Sequence, residues 1–257
     1  MHSVRLAGAL SLAQLRVVPG LVAPVMLVMA VAAVLAAFLM AGLPGDAGAG
    51  AAAAVVGDTP VGAGRAATDA TGSPVVPDAS ARDSVAGGPF ALILLAGVAL
   101  TATMAVGRAE HDAVSLATPL GPQVVMLARL ALVLALDAAA GFVASAVLGV
   151  LGLGTIPVVL AGWLPSLALV AGVASFVATW AAPWAGAACG LALVPLVSPV
   201  AQGLSGFAGG IFGFGGVAAG FQETLGPAGM AALGVALLAL TVATSRRALL
   251  VRESVAE

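Results

Sequence analysis

Leu21 to Met40 is a run of 20 residues without one charged side chain. At about 1.5 Å of rise per residue, a helix of that length is about 30 Å long and matches the hydrocarbon thickness of a bilayer. Five more apolar runs follow, at 89–106, 123–150, 157–182, 185–200 and 228–244. Hydrocarbon offers a backbone no hydrogen-bond partners, so runs of this length must close their own bonds as helices. Hydrophobic residues make up 61% of the chain and charged residues 8%, against about 25% charged in an average soluble domain. The expected fold is an all-α polytopic membrane protein: a single transmembrane domain, residues 1–257, with six transmembrane helices.

The segments between the runs differ in kind. Residues 1–20 are too polar to span, and Arg5 and Arg16 lie about 20° apart on a helix of 3.6 residues per turn. Leu6, Leu10, Ala13 and Val17 fall on another face. This predicts an amphipathic helix on the inner membrane surface, with both arginines anchored at lipid phosphates, before Pro19 and Pro24 turn the chain inward. A signal peptide is the rival reading, but its apolar core runs about 7 to 15 residues, shorter than 21–40. Residues 41–88 hold five aspartates among Gly, Ala, Pro, Ser and Thr. They have too few large apolar side chains to offset the entropy of ordering, which predicts a disordered outer loop.

Further along, Pro183 and Trp184 read as a tight turn, and Pro195 is expected to bend the fifth span. Residues 201–227 are Gly-rich and carry Phe207, Phe212, Phe214 and Phe221, too apolar for a solvated loop and too broken for a span. Residues 245–257 read as a polar tail with Arg246, Arg247 and Arg252. Six spans with both termini inside place Arg5, Arg16, Arg108, Arg129, Arg246, Arg247 and Arg252 on the cytoplasmic side, and only Arg65 and Arg82 outside. That distribution satisfies the positive-inside rule.

The same count puts the stretch Arg108 to Arg129, RAEHDAVSLATPLGPQVVMLAR, at the cytoplasmic face. Ala109, Ala113, Leu116 and Ala117 share one side of a short helix that cannot pass Thr118, because Pro119 lacks an amide hydrogen. Pro122 is well placed at the first turn of the next helix. At these residues the chain resembles the permease subunits of type-2 ATP-binding cassette exporters. Those carry a pattern close to E-x-x-x-x-E-L-L-x-A-T-P-x-x-P after the second span, with a basic residue opening the third. Glu110, Leu116, Ala117, Thr118, Pro119, Pro122 and Arg129 fit the pattern; Val114 and Ser115 occupy the region of its second acidic residue.

The resemblance implies that 108–118 is a coupling helix docking on a separate ATPase, with Arg108, Glu110, His111, Asp112, Leu116, Thr118 and Pro119 at the contact. It also implies re-entrant outer helices within 201–227, pairing with itself or a related permease, and ATP and Mg on the partner ATPase, with no cofactor bound by this chain. The other partner expected is the lipid bilayer; no nucleic-acid partner is expected. The chain has no lysine, so it cannot hold a P-loop of its own. The Ala, Gly, Val and Arg bias suggests a GC-rich bacterium, and hence a multi-pass protein of the bacterial cytoplasmic membrane.

Little points to catalysis. His2 and His111 are the only histidines, and no H-E-x-x-H occurs. The single cysteine, Cys189, excludes an intrachain disulfide and reads as core filler. Asp137 is the one ionisable residue deep in a span, roughly 20 Å beyond Pro122, and must be protonated, hydrogen-bonded or facing a wet cavity. Thr101 and Thr103 on the second span are its candidate partners. Arg129 sits close enough to the inner headgroups to anchor there. Trp163 and Trp180, about 25 Å apart along one helix, suit the two aromatic interface belts. Two function classes fit: the permease of an ATP-driven exporter, and a gradient-driven transporter or channel in which Asp137 titrates. An intramembrane enzyme is a weaker third. No internal repeat, the usual mark of the gradient-driven class, is visible.

Overall fold

A computed structural model of the chain describes residues 19–42, 79–106, 122–198 and 214–256. Six helices hold nearly all of them: α1 Pro19–Gly42, α2 Ala79–Val106, α3 Pro122–Val150, α4 Ile156–Trp180, α5 Pro183–Val197 and α6 Phe214–Ala256. Five contain a stretch long and apolar enough to cross a membrane: Leu21–Leu39, Pro89–Val106, Gln123–Val150, Ile156–Trp180 and Gly220–Ala248. No strand occurs among the described residues. α5 has 15 residues. At about 1.5 Å per residue it falls short of the roughly 30 Å hydrocarbon core. The fifth apolar run, expected to span at 185–200, is therefore a shorter helix that stops two residues past Pro195.

Other boundaries shift for local reasons. Pro24 lies inside α1 and does not turn the chain ahead of it; the one amide it removes is tolerable where neighbouring groups take up the freed carbonyl. Residues 79–88 belong to α2 and not to the outer loop, whose remaining residues, 43–78, lie outside the described part. Pro183 opens α5, where its missing donor would have been unpaired in any case. Extended Ala182 precedes it, and its carbonyl accepts the Gly186 amide at 3.0 Å. Residues 245–256 continue α6 as helix and do not form a separate tail. Cys189 is exposed on α5, so it is not core filler.

The turn between α3 and α4 is built on Gly152, whose φ of 69° is the left-handed conformation. The Leu153 amide donates to Leu148 O at 3.0 Å and the Gly152 amide to Gly149 O at 3.1 Å, the paired bonds of a Schellman stop. Pro157 then starts α4 within its first two positions. In α6 the break is sharper: Gly226 takes φ 61°, ψ 171°, ahead of Pro227. The helical piece 214–225 is thereby set off from the long final helix.

Packing shows which ends of the helices lie together. Val22 of α1, Ala105 and Val106 of α2, Leu130 and Val133 of α3 and Ala178 of α4 form one apolar cluster, with Leu238 and Val242 of α6 against it. The start of α1, the end of α2, the start of α3, the end of α4 and the later part of α6 therefore meet at one end of the bundle. At the opposite end the last turn of α5 is capped by side chains. Gln222 donates to Leu196 O at 3.1 Å and Ser198 O at 3.2 Å, and Ser166 donates to Val197 O at 3.2 Å. Helix ends leave such carbonyls without intrahelical partners.

α2 lies at the centre, packed against α1, α3, α4 and α5. Leu94, Leu95, Val98, Ala99, Thr101, Ala102 and Ala105 are all buried, more than one face of a helix can account for. Lipid tails are as apolar as leucine, so helices in a bilayer gain by close van der Waals contact, which small residues permit. The α4–α6 contact is the most extensive among the described helices. There, a Cβ at Gly234 would fall on the backbone of Ala168 and Leu169, and one at Gly172 would stand 2.7 Å from the Gly234 carbonyl oxygen.

Candidate functional site

α3 carries Asp137 into the middle of this packing, where it has no solvent exposure. Thr101 of α2, equally enclosed, donates its hydroxyl to Asp137 Oδ2 at 2.8 Å. The same hydroxyl lies 3.0 Å from Gly97 O and 3.1 Å from Val98 O. A threonine hydroxyl has one proton, so these three acceptors compete for it. Asp137 Oδ1 has no hydrogen-bond partner. Thr103 is buried but bonds its own helix, donating to Leu100 O at 2.7 Å, and so is not a partner of Asp137.

A second polar set lies about two turns further along α3. Ser145 donates to Gly141 O at 2.7 Å and accepts the Trp163 indole N–H at 3.1 Å. Phe142 meets the Trp163 ring edge-on, with centroids 5.8 Å apart. Trp163 is wholly enclosed. This corrects its expected place in an interface belt, since a ring surrounded by protein touches no headgroup. Trp180 is 44% exposed, and its N–H donates to Thr244 Oγ1 at 3.2 Å. Arg129, expected as an anchor at the headgroups, is 6% exposed and enclosed by the bundle.

The candidate coupling residues Arg108, Glu110, His111, Asp112, Leu116, Thr118 and Pro119 lie outside the described residues, as do Arg5 and Arg16. What the structure describes is the frame on either side of 107–121. α2 ends at Val106 and α3 starts at Pro122, and the adjoining turns share the apolar cluster at one end of the bundle. There Gln123 donates to Ala243 O at 3.2 Å, tying the first turn of α3 to α6. No group of His, Cys, Asp and Glu suited to a metal ion occurs among the described residues.

Sequence reasoning missed Ser145, Gly141, Gln222 and Thr244. Ser145 lies eight residues after Asp137 in an otherwise apolar stretch, and that polar pair on one helix was the available signal. Gln222 offered none, because its role depends on where α5 ends.

Fold and interior together define a multi-pass helical membrane protein with a carboxyl group buried between two of its spans. No family model, curated protein or solved structure matches the chain.

Proposed function

We propose that the chain is the permease subunit of an ATP-driven exporter of the type-2 ATP-binding cassette kind, in a bacterial cytoplasmic membrane with both termini inside. In this reading it forms the substrate pathway as a pair of such subunits, and a separate ATPase supplies the energy. The observation that carries it is the charged, Pro-punctuated segment 107–121, which with Pro122 and Arg129 resembles the family pattern save for its second acidic residue and joins two helices whose adjoining ends pack together. The helical piece set off by the Gly226 break, ahead of the last long helix, agrees with the re-entrant element such a permease carries. The absence of an internal repeat favours pairing, because a single copy then supplies one half of a two-sided pathway.

The test is coupling. Purified with its ATPase, the wild-type protein should show transport-stimulated ATP hydrolysis, and Glu110→Arg should abolish the stimulation while the protein still inserts. Wild-type stimulation in that variant would remove Glu110 from the contact. Crosslinking that finds only monomers in active preparations would remove the pairing.

One observation favours a second reading. A carboxyl group with an unpartnered oxygen deep in a bundle is a feature of gradient-driven carriers, in which such a group binds the coupling ion. Transport by the chain alone, driven by a proton gradient without ATP, would support that class over the first.

A further inference from the structure

Asp137 Oδ2 and Thr101 Oγ1 lie 2.8 Å apart, and Thr101 Oγ1 reaches on to Gly97 O at 3.0 Å, with Val98 O beside it at 3.1 Å, which makes a two-step relay. The relay joins α3 to α2 and ends on a backbone carbonyl. Two proton arrangements are available to it. If Asp137 is ionised, the one Thr101 proton goes to the carboxylate, Gly97 O keeps only its helix bond, and a full charge sits at zero exposure with Oδ1 unpartnered. Among the described side chains no opposite charge is shown beside it: the spans of α1, α2 and α4 hold no ionisable side chain, and Cys189 on α5 and Glu223, Arg246 and Arg247 on α6 are exposed. Arg129 lies about 12 Å away along α3. An uncompensated charge in such a place is the least stable form of a carboxyl group.

If Asp137 carries a proton, both steps of the relay are made at once. The acid O–H donates to Thr101 Oγ1, the Thr101 proton goes to Gly97 O, and Oδ1 becomes a neutral carbonyl oxygen, which tolerates an apolar surrounding far better. We propose that Asp137 and Thr101 form a proton-binding site closed by the α2–α3 contact. The site thus holds one proton while the contact is closed. It rests on the packing alone and is independent of whether the chain works with an ATPase.

Infrared spectroscopy of the full chain in phosphatidylcholine vesicles tests this. At neutral pH the wild type should show the carbonyl stretch of a protonated carboxylic acid, shifted by deuterium. The band should vanish in Asp137→Asn and move in Thr101→Val, which keeps the shape of the side chain. No such band in the wild type, its survival in Asp137→Asn, or its indifference to Thr101→Val would each overturn the proposal. Should Asp137→Asn fail to insert, the wild-type deuterium shift together with the Thr101→Val response decides the question.

Discussion

The Trp163 ring of α4 lies against the bare Cα of Gly141 on α3: a methyl group there would stand 2.5 Å from Trp163 Cη2 and 2.7 Å from Cζ2. The indole N–H is also held by its bond to Ser145, one turn along the same face of α3, so the ring cannot move aside freely. Gly141→Ala should therefore destabilise the bundle by about 1 to 3 kcal/mol through overpacking. Ser145→Ala should cost about 1 to 3 kcal/mol by stranding a buried N–H. Thermal unfolding in detergent reads both, and unchanged stability in Gly141→Ala would mean that the ring does not occupy this position.

The α4–α6 contact makes a second prediction, with its own control. Gly234→Val must push the two backbones apart, because the space of even one Cβ is filled by Ala168 and Leu169. The expected result is loss of folded, monodisperse protein. At Gly220, on the same helix, a Cβ meets nothing within 4 Å. Gly220→Ala should be neutral or should stabilise by up to about 1 kcal/mol, the helix preference of Ala over Gly. Equal behaviour of the two variants would contradict the packing.

Gly226 is constrained by conformation, not by space, since nothing lies within 4 Å of where its Cβ would be. Its φ of 61° with ψ of 171° belongs to a region that only glycine enters without strain. Gly226→Ala should cost about 1 to 3 kcal/mol. A thermal midpoint equal to that of the wild type would show that the chain does not break there.

Asp137 separates two roles by substitution. Asp137→Asn keeps a side chain able to donate to Thr101 and should preserve folding; if the residue serves transport, activity should fall all the same. Asp137→Leu removes the bond to Thr101 and should destabilise by about 1 to 2 kcal/mol, the scale of interhelical hydrogen bonds in model membrane peptides. Stability and transport measured on both variants distinguish the roles, and wild-type behaviour of both would dismiss Asp137 from either.

What the sequence by itself determined is the helical character of the described residues and nearly the place of each long helix among them. In hydrocarbon a backbone must satisfy itself, so span length is a local property that can be read one run at a time. The depth of Asp137 and its need for a partner followed in the same way. Tertiary structure decided the rest, because the rotation of each helix about its axis depends on its neighbours. Thr101 and Thr103 lie about 200° apart on α2, so one rotation turns Thr101 to Asp137 and leaves Thr103 bonded to its own backbone. Trp163 and Trp180 look alike along the chain, yet one is enclosed because Gly141 leaves room for it and the other stays exposed beside Thr244. Arg129 turned inward, and α5 stopped at Val197, where Gln222 and Ser166 meet its open carbonyls. Each of these outcomes is set by contacts between residues far apart in the chain, which no local pattern encodes.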